Sequence, residues 1–354
     1  MRRWLGMIAV LIGAALALGG PPRQGAQGMA PSGLPVLAVV RTPAGQTIEF
    51  DSIEQALTTA PAGSTVTITP GTYAAGAVIT ADNLTIKADG VHLRDTARQG
   101  KALLVIAADN TLIEGLEVSG VAVPDRNGAA FRLEGVGLTL RRVNIHDNQE
   151  GLLGGGGVVT IEDSLFRNNG FGGQAHHIYI NQAQTALIIR RSDLFSAIGE
   201  GHEIKSRGRL TRIEHSRIAS LDGRDSRLID VPNGGQLLIL NSILEEGPAS
   251  SNREVIGFGH EGVTQPQNSI QIRHSTFIYD GSSPANVTWV AVVGSTVPSY
   301  ADNAFIGGAQ TRMPGADSRY RATRAEAGIA AYPFLPAVSP TAFPGIVHLP
   351  LLAR

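Results

Sequence analysis

The chain contains no cysteine, and it has few aromatic and few charged residues. The absence of cysteine from all 354 residues excludes a disulfide scaffold and an acylated lipoprotein anchor, so stability must come from stacked strands and an apolar core. Aromatic residues make up 5% of the chain and charged residues 17%, with a formal net charge of -1. A chain this close to neutrality has no bulk attraction for nucleic acid, so no nucleic-acid partner is expected.

Long apolar runs are confined to the beginning of the chain. The sequence starts Met-Arg-Arg and continues with an apolar run from Trp4 to Leu18. This pattern predicts a signal peptide over residues 1–20, followed by a Pro- and Gly-rich linker over residues 21–36, and hence a secreted or periplasmic protein. The run is shorter than the roughly 20 residues that a spanning helix needs, so no stable membrane span is expected after cleavage. An uncleaved membrane anchor is the alternative.

Glycine is abundant, and a short strand pattern recurs between turns. An alternating apolar strand, a small or Asn turn and a second alternating strand follow one another, with copies beginning at Leu84, Leu112, Leu138, Val159, Leu187, Leu210, Leu237 and Ile270. Successive copies start 21 to 33 residues apart, which is the length of one turn of a parallel β-solenoid and not of a helical repeat. The spacing predicts an all-β, single-domain solenoid over residues 37–306, expected to be a monomer.

Two segments are predicted to cover the solenoid. Ile53 and Leu57 lie four residues apart in a short amphipathic helix that Asp51 or Ser52 could cap. A helix at the open end of a solenoid covers strand edges that would otherwise pair with another molecule. Residues 307–354 are too rich in proline for ladder strands, so we expect them to pack along the solenoid or over its end.

The predicted helix and the segment after it resemble a known class of proteins. Ala62-Gly-Ser-Thr-Val-Thr-Ile-Thr-Pro-Gly-Thr-Tyr73 is similar to the start of right-handed parallel β-helix proteins of the pectate-lyase-like class, and the similarity continues through the repeats to about Ile306. The resemblance implies a single-stranded right-handed parallel β-helix with a short N-terminal capping helix. It does not imply one reaction, because the class includes lyases, hydrolases, epimerases and non-enzymatic adhesins.

One stretch of the repeat concentrates ionisable and aromatic residues. Ile178 and Ile204 are 26 residues apart, so if both point into the core, Tyr179 lies beside Lys205 on the next coil, about 4.8 Å away. The same counting predicts an outer face that carries His176, His177, Tyr179, His202, Glu203, Lys205, Arg207, Arg227 and Asp230. For any single residue a solvated, salt-bridged ladder is an equally good interpretation, and the functional hypothesis depends on the whole set.

This set fits the β-elimination of a uronic-acid polysaccharide. That reaction needs cations at the substrate carboxylate, a base for the C5 proton and an acid for the leaving oxygen. We predict catalytic roles for four residues, with His177 or Tyr179 in proton transfer and Lys205 and Arg207 gripping the carboxylate. Further substrate contacts are predicted from His176, His202, Glu203, Arg227, Asp230 and, on a Gly-rich loop, His260. The expected partner is therefore an acidic polysaccharide.

A second resemblance concerns Lys205 itself. Glu203-Ile-Lys-Ser-Arg is similar to the signature of β-helix lyases that act on alginate and chondroitin-type chains, which implies that Lys205 is the base. Those enzymes carry Arg-His-Gly on the following coil, whereas this chain has Leu228-Ile-Asp-Val-Pro-Asn-Gly-Gly235 there. The acid therefore stays unassigned, and Arg227 could replace the missing arginine only in a different register.

Three other functions remain open. A C5 epimerase starts with the same proton abstraction as a lyase. A polygalacturonase-type hydrolase would need two carboxyl groups roughly 5 to 9.5 Å apart, which Glu150, Glu203 and Asp230 could supply. A non-catalytic polysaccharide-binding or structural solenoid would carry a flat face of Thr, Asn and Ser instead of this cluster.

No cofactor and no metal site are predicted. His176-His177 and His202-Glu203 contain metal-ligating residues, but neighbouring residues on a strand point to opposite sides, so fewer than half can converge on one ion. Calcium, held by carboxylates and carbonyls as in some β-helix lyases, is the alternative.

Overall fold

The alternating segments of the repeat stack on one another in parallel. A computed structural model of the protein describes residues 34–338. In it, Ile178 pairs with Ile204, and Ile204 pairs with Ile229 on the next coil. Each coil therefore adds one parallel strand to this sheet. Parallel crossovers of this kind are right-handed in nearly all proteins. The fold is a right-handed parallel β-helix, as the repeat and the resemblance predict.

Strands account for nearly all the regular structure in residues 34–338. They are β1 (Ala38–Arg41), β2 (Thr47–Phe50), β3 (Thr65–Ile68), β4 (Gly71–Tyr73), β5 (Ala77–Ile79), β6 (Thr85–Arg94), β7 (Ala102–Ile106), β8 (Thr111–Ser119), β9 (Ala129–Leu133), β10 (Leu138–Arg141), β11 (Asn144–His146), β12 (Glu150–Gly154), β13 (Val158–Glu162), β14 (Leu165–Arg167), β15 (Ile178–Ile180), β16 (Ala186–Arg190), β17 (Asp193–Phe195), β18 (Ile204–Ser206), β19 (Leu210–Glu214), β20 (Arg217–Ala219), β21 (Ile229–Val231), β22 (Gln236–Leu240), β23 (Ile243–Glu246), β24 (Glu254–Phe258), β25 (Ser269–Arg273), β26 (Thr276–Tyr279), β27 (Thr288–Val292), β28 (Ser299–Ala301), β29 (Ala304–Ile306) and β30 (Arg319–Arg321). The helices are α1 (Ile53–Thr59) and two 3-10 turns, Pro284–Asn286 and Gln310–Arg312.

These strands form two sheets. In the described residues, nine parallel strands make the smaller sheet, which runs β5-β7-β9-β12-β15-β18-β21-β24-β27. The other described strands make the larger sheet, whose parallel part splits at β8 into two rows. The first row runs from β10 to β28 and the second from β11 to β30. Each coil thus adds a strand to both rows and then one to the smaller sheet, as β16, β17 and β18 do.

The bend between the two rows is built by a repeated residue pair. The first residue has a left-handed backbone and the second is a buried serine, as in Arg191-Ser192, where φ of Arg191 is +47°. The Ser192 hydroxyl accepts the backbone N–H of Ser164 at 3.1 Å and donates to the Arg190 carbonyl oxygen at 2.8 Å. Such bonds satisfy backbone groups that the bend would leave unpaired. They explain why serine recurs after Asp, Arg, His or Asn in the repeat.

The interior of the solenoid is one continuous apolar core. One inward position, which passes through β6, β8 and the second row, is fully buried and stacks coil upon coil. Its residues are, in order, Leu93, Val118, Ile145, Phe166, Leu194, Ile218, Leu244, Phe277 and Phe305. Burying a side chain of this size contributes about 1.5–3 kcal/mol to the free energy of folding. Most inward positions on the strands are filled by apolar side chains, so groups that contact a substrate must come from the outward positions.

The predicted capping helix is present as α1. Ser52, one of the two candidates, is its N-cap and accepts the backbone N–H of Gln55 at 3.2 Å. Ile53, Ala56 and Leu57 are buried on the face that packs on the solenoid. Spacing and capping chemistry were therefore sufficient to predict this element.

The described part of the proline-rich tail packs along the solenoid. Strand β30 adds one rung beyond residue 306, where the repeat pattern ends. After it, the side chains that pack on Ile243, Ile278 and Ile306 are Ala327, Ile329, Leu335 and Val338. The predicted signal peptide, residues 21–33 of the linker and residues 339–354 lie outside the described residues.

Candidate functional site

The candidate residues come from one outer face of the smaller sheet. Strand pairing places Tyr179 beside Lys205, and Lys205 beside Asp230, on three successive coils. Ile178 and Ile204 on the same strands are fully buried, so the alternation of a strand directs Tyr179 and Lys205 outward. The register predicted from the spacing of 26 residues is confirmed.

Lys205 and Arg207 share one carboxylate, that of Glu261. Lys205 Nζ lies 3.1 Å from Glu261 Oε1, and Arg207 Nη1 lies 2.7 Å from Glu261 Oε2. Glu261 reaches them from the loop after β24, where its backbone N–H donates to the Pro232 carbonyl oxygen at 2.9 Å. The hydrogen bond from Arg207, with a further contribution from Lys205, lowers the pKa of Glu261. We call Lys205 and Arg207 the carboxylate cradle.

Tyr179 closes one side of the carboxylate cradle. Its hydroxyl oxygen accepts a hydrogen bond from Arg207 Nε at 2.9 Å. Lys205 Nζ and Arg207 Cζ each lie 5.7 Å from the centroid of the Tyr179 ring, within the range of cation–π contacts. Because the oxygen already accepts from Arg207, the hydroxyl proton can be directed elsewhere. Tyr179 is therefore placed to transfer a proton beside a bound carboxylate.

Two buried histidines, His176 and His202, stack next to Tyr179. Their ring centroids are 4.9 Å apart and their planes differ by 11°. Nδ1 of His176 accepts the backbone N–H of His202 at 3.0 Å, and Nδ1 of His202 accepts that of Arg227 at 3.1 Å. Burial lowers the pKa of both rings, that of His202 to about 3. Both are therefore neutral at neutral pH, with the proton on Nε2.

One buried carboxyl group lies beside the carboxylate cradle, and another lies beside the stacked histidines. Asp230 Oδ2 lies 3.9 Å from Lys205 Nζ, and Glu150 Oε1 accepts the backbone N–H of His176 at 3.3 Å. Burial raises the pKa of Asp230 and, more strongly, that of Glu150. A carboxyl group with a raised pKa can donate a proton, whereas Glu261 on the other side of Lys205 stays ionised.

The prediction that His177 and Glu203 lie on this outer face is wrong. Both side chains are fully buried, and His177 Nε2 lies 2.8 Å from Glu203 Oε2 and 2.9 Å from the Phe195 carbonyl oxygen. Glu203 Oε1 accepts the backbone N–H of Ala197 at 2.8 Å. They precede β15 and β18 at a corner of the coil, where two successive residues point inward. His177 is thus excluded from direct proton transfer to a substrate, and Glu203 from substrate contact.

The remaining predicted residues, Arg227 and His260, meet at Glu254. Arg227 Nε donates to Glu254 Oε2 at 2.9 Å, and His260 Nε2 lies 3.7 Å from the same oxygen. Gly257 makes room for this arrangement, because a Cβ there would lie 2.9 Å from Arg227 Cδ. Arg227 is therefore engaged by a carboxylate on the next coil and does not belong to the carboxylate cradle.

Sequence reasoning missed the role of Glu261. The loop Gly257-Phe-Gly-His-Glu-Gly262 was predicted to border the face, with His260 as its candidate residue. The available signal was a carboxylate between glycines directly after a strand of the candidate face. Its contact with Lys205 and Arg207 depends on the path of the loop across two coils. The alternation of side chains along a strand does not predict that path.

The paired residues considered for metal binding do not converge on one ion. His176 and His202 lie on the outer face, while His177 and Glu203 point inward. Within residues 34–338, the group of three such residues whose ligand atoms converge lies on the larger sheet instead. Calcium binding stays the alternative to the prediction that the protein has no metal site. In the same part of the chain, no helix has both the length and the apolar character to cross a bilayer.

Comparison with known proteins identifies no family for this chain. No family model matches the chain, and no curated protein matches it significantly. A crystal structure of pectin methylesterase in complex with a hexasaccharide is similar over 79% of this chain and 90% of that chain, with 13% identity and a TM-score of 0.37. Similarity this distant supports no statement about the site. The β-helix assignment therefore stands on the strand pairing of the chain itself.

Proposed function

We propose that the protein is an exported polysaccharide lyase or C5 epimerase that acts on an acidic polysaccharide at the outer face of the smaller sheet. In both reactions a base removes the C5 proton of a uronate residue. In β-elimination the C4–O bond then breaks, its electron pair leaves with the glycosidic oxygen, and that oxygen takes up a proton. In epimerisation a proton returns to the opposite face of C5. One site serves either reaction, because the first step is the same.

The observation that carries this proposal is the carboxylate cradle. Lys205 and Arg207 hold the two oxygens of one carboxylate, that of Glu261, at 3.1 and 2.7 Å. A uronate carboxylate has the same charge and shape as the Glu261 side chain and could take its place. The uronate C5 is bonded to the carboxylate carbon, so it would lie next to the cradle and to Tyr179. Arg207, together with Lys205 once it has taken up the C5 proton, would stabilise the negative charge that develops when the proton leaves.

Proton transfer is assigned to Tyr179 and Lys205. The Tyr179 hydroxyl lies beside Lys205 and accepts from Arg207, so it can donate its proton to a leaving oxygen. Lys205 is the base that the resemblance to alginate-type lyases implies, so in this assignment it enters the step as the neutral amine and becomes a cation by taking up the C5 proton. Because His177 is buried, proton transfer is proposed for these two residues of the outer face instead.

Hydrolysis of a glycosidic bond is a second candidate, favoured by a specific contrast between two carboxyl groups. Burial raises the pKa of Asp230, while hydrogen bonding to Arg207 lowers that of Glu261. Both carboxyl groups lie within 4 Å of Lys205 Nζ, at 3.9 and 3.1 Å. Two carboxyl groups whose pKa values are shifted in opposite directions are the kind of pair that glycosidases use as acid and base.

The decisive experiment incubates the purified protein with a panel of polyuronates and acidic exopolysaccharides. Ultraviolet absorbance reports unsaturated uronate, reducing ends report chain cleavage, and deuterium incorporation at C5 from heavy water reports epimerisation. A rise in absorbance together with reducing ends supports the lyase, and deuterium without cleavage supports the epimerase. Reducing ends without absorbance would establish hydrolysis instead.

A matched pair of tyrosine variants assigns the activity to this face. Tyr179→Phe is expected to lower kcat at least 100-fold, since general acid–base catalysis contributes roughly 10²–10⁴-fold. Tyr73→Phe is the control, because Tyr73 lies on β4 of the larger sheet, where its hydroxyl donates to the Thr69 carbonyl oxygen at 2.9 Å. Equal activity of the two variants would remove Tyr179 from the mechanism. If the protein binds a polysaccharide of the panel but turns over none of them, it is a polysaccharide-binding solenoid.

A further inference from the structure

Three metal-ligating side chains converge on the larger sheet, where no site was predicted from the sequence. They are His92 on β6, Glu117 on β8 and His146 on β11, and one ligand atom of each lies within 4.8 Å of the others. We propose that these residues bind a divalent transition metal ion of the Zn²⁺ type. This inference does not depend on the function proposed for the carboxylate cradle.

The two imidazole rings lean toward each other across the strand between them. β8 pairs with β6 on one side and with β11 on the other, so His92 and His146 are two strands apart. Two strand spacings correspond to about 9.6 Å between backbones. The ring centroids of His92 and His146 are nevertheless only 5.9 Å apart. Both rings therefore converge over β8, which supplies Glu117.

The hydrogen bonds that hold the two imidazole rings resemble those of metal-bound histidines. His146 Nε2 lies 2.8 Å from Glu117 Oε1, and His146 Nδ1 lies 2.6 Å from Asp147 Oδ2. A ligating histidine usually gives its second ring N–H to a carboxylate, which holds the ring in place and selects the nitrogen that binds the metal. His92 is held in turn, because its Nε2 lies 2.7 Å from Ser119 Oγ.

The donor set indicates which ions would bind. Two imidazoles and one carboxylate suit Zn²⁺ and similar transition metals, whereas Ca²⁺ and Mg²⁺ prefer oxygen ligands. The Glu117 side chain is 38% exposed and that of His146 is 11% exposed, so water could complete the coordination. Glu117 and Asp147 would offset the charge of the ion. Arg167, which pairs with His146 on the next rung, is positively charged and would disfavour a bound cation.

Titration of the purified, tag-free full-length protein with Zn²⁺ tests the site. Isothermal titration against a competing chelator is expected to give one ion per chain, and Co²⁺ in place of Zn²⁺ should give the visible absorption of a low-coordinate site. His92→Gln and His146→Gln are each expected to weaken binding at least ~10-fold, and Asp147→Asn roughly 10-fold through loss of its hold on His146.

A histidine elsewhere on the larger sheet provides the matched control. His215 has a left-handed backbone, with φ of +50°, which asparagine also accepts, so His215→Asn should leave Zn²⁺ affinity unchanged. Circular dichroism of every variant checks that the solenoid is intact. Absence of stoichiometric binding by the unaltered protein, or equal affinity in His92→Gln, His146→Gln and His215→Asn, would overturn the proposal.

Discussion

Two outer faces of the solenoid carry charged side chains in register, and their charges are balanced in different ways. On the larger sheet, one register position that passes through β6, β8 and the first row carries a charge on six successive coils. The charges alternate in sign, in the order Lys87, Glu114, Arg141, Glu162, Arg190 and Glu214. Arg141 lies 3.0 Å from Glu114 and 3.3 Å from Glu162, so it is matched on both sides. This is the salt-bridged ladder that the sequence left open as an interpretation of the candidate face.

The outer face of the smaller sheet has no such alternation. Lys205 and Arg207 converge on one carboxylate from a loop, and the two histidines beside them are neutral. Asp230 and Glu261, both near Lys205, have pKa values shifted in opposite directions. A ladder in which each charge is matched stabilises weakly and does little else. Neighbouring groups whose pKa values are shifted in opposite directions are typical of sites that carry out acid–base chemistry.

The two faces share one core, and a charge placed in that core should destroy both. Ile204 lies behind the carboxylate cradle and Ile189 behind the alternating ladder, and both are fully buried. Ile204→Asp and Ile189→Asp are each expected to lower the free energy of unfolding by more than about 4 kcal/mol, because an unpaired carboxylate would enter an apolar interior. Urea unfolding followed by circular dichroism measures this, with the outward Thr139→Asp as control. A stable Ile204→Asp protein would mean that the register is wrong by one residue.

Removing one cation from each face should lower turnover on one face and leave it nearly unchanged on the other. Lys205→Ala is expected to lower turnover of the substrate identified in the panel at least 100-fold, because it removes half of the carboxylate cradle. Arg190→Ala removes a cation of the alternating ladder and should change turnover by less than about twofold. Initial rates at saturating substrate provide the measurement. Similar losses in both variants would show that the effect of Lys205 is general and not catalytic.

Two buried carboxyl groups, one in the turn before β21 and one on β23, should make the protein less stable as the pH rises. Burial, reinforced by Glu203, raises the pKa of Asp225 to about 7, and burial raises that of Glu245 to about 9. A raised pKa means that the folded state holds a proton that the unfolded state releases. The stabilisation is complete below an unfolded-state pKa of about 4 and is lost as the pH rises through the folded value. For Asp225 alone this corresponds to roughly 4 kcal/mol.

Asp225→Asn isolates this contribution, since asparagine can still accept from Ser220, which donates to Asp225 Oδ2 at 2.7 Å. Denaturant unfolding at about pH 5 and about pH 8 should show a smaller difference in the variant than in the unaltered protein. Asp163→Asn on the larger sheet is the control, because Arg191 lowers the pKa of Asp163. An unchanged pH dependence in Asp225→Asn would mean that Asp225 is ionised in the folded state.

Glu261→Gln has the smallest expected effect and distinguishes the candidate reactions. If Glu261 only occupies the cradle until a uronate replaces it, the neutral glutamine should compete less well and lower KM by a few fold, roughly 1 kcal/mol or less. If Glu261 is the carboxylate of a hydrolase, the same change should abolish turnover. Glu200→Gln, which removes a carboxylate paired with Arg224, is the control.

The sequence predicted the fold and most of the face for reasons that are local or periodic. The repeat spacing predicted that Tyr179 lies beside Lys205, and capping preferences together with helical spacing predicted α1. The error at His177 and Glu203 has an identifiable cause. The corresponding corner position is buried and apolar in four other coils, at Leu103, Ala130, Leu228 and Val255. Comparing coils at that position would have placed both residues inside, whereas extending the strand alternation by one residue placed them outside.

The amino-acid sequence alone determined the stacked coils, the apolar core and the identity of the neighbours within each rung, because side-chain alternation and repeat length act along a single strand or between adjacent ones. Tertiary structure decided the rest. Glu261 reaches Lys205 and Arg207 because a loop crosses two coils, and His92 and His146 meet because their rings lean across an intervening strand. Such contacts depend on loop paths and side-chain directions set by the whole packed solenoid, which no repeat in the sequence encodes.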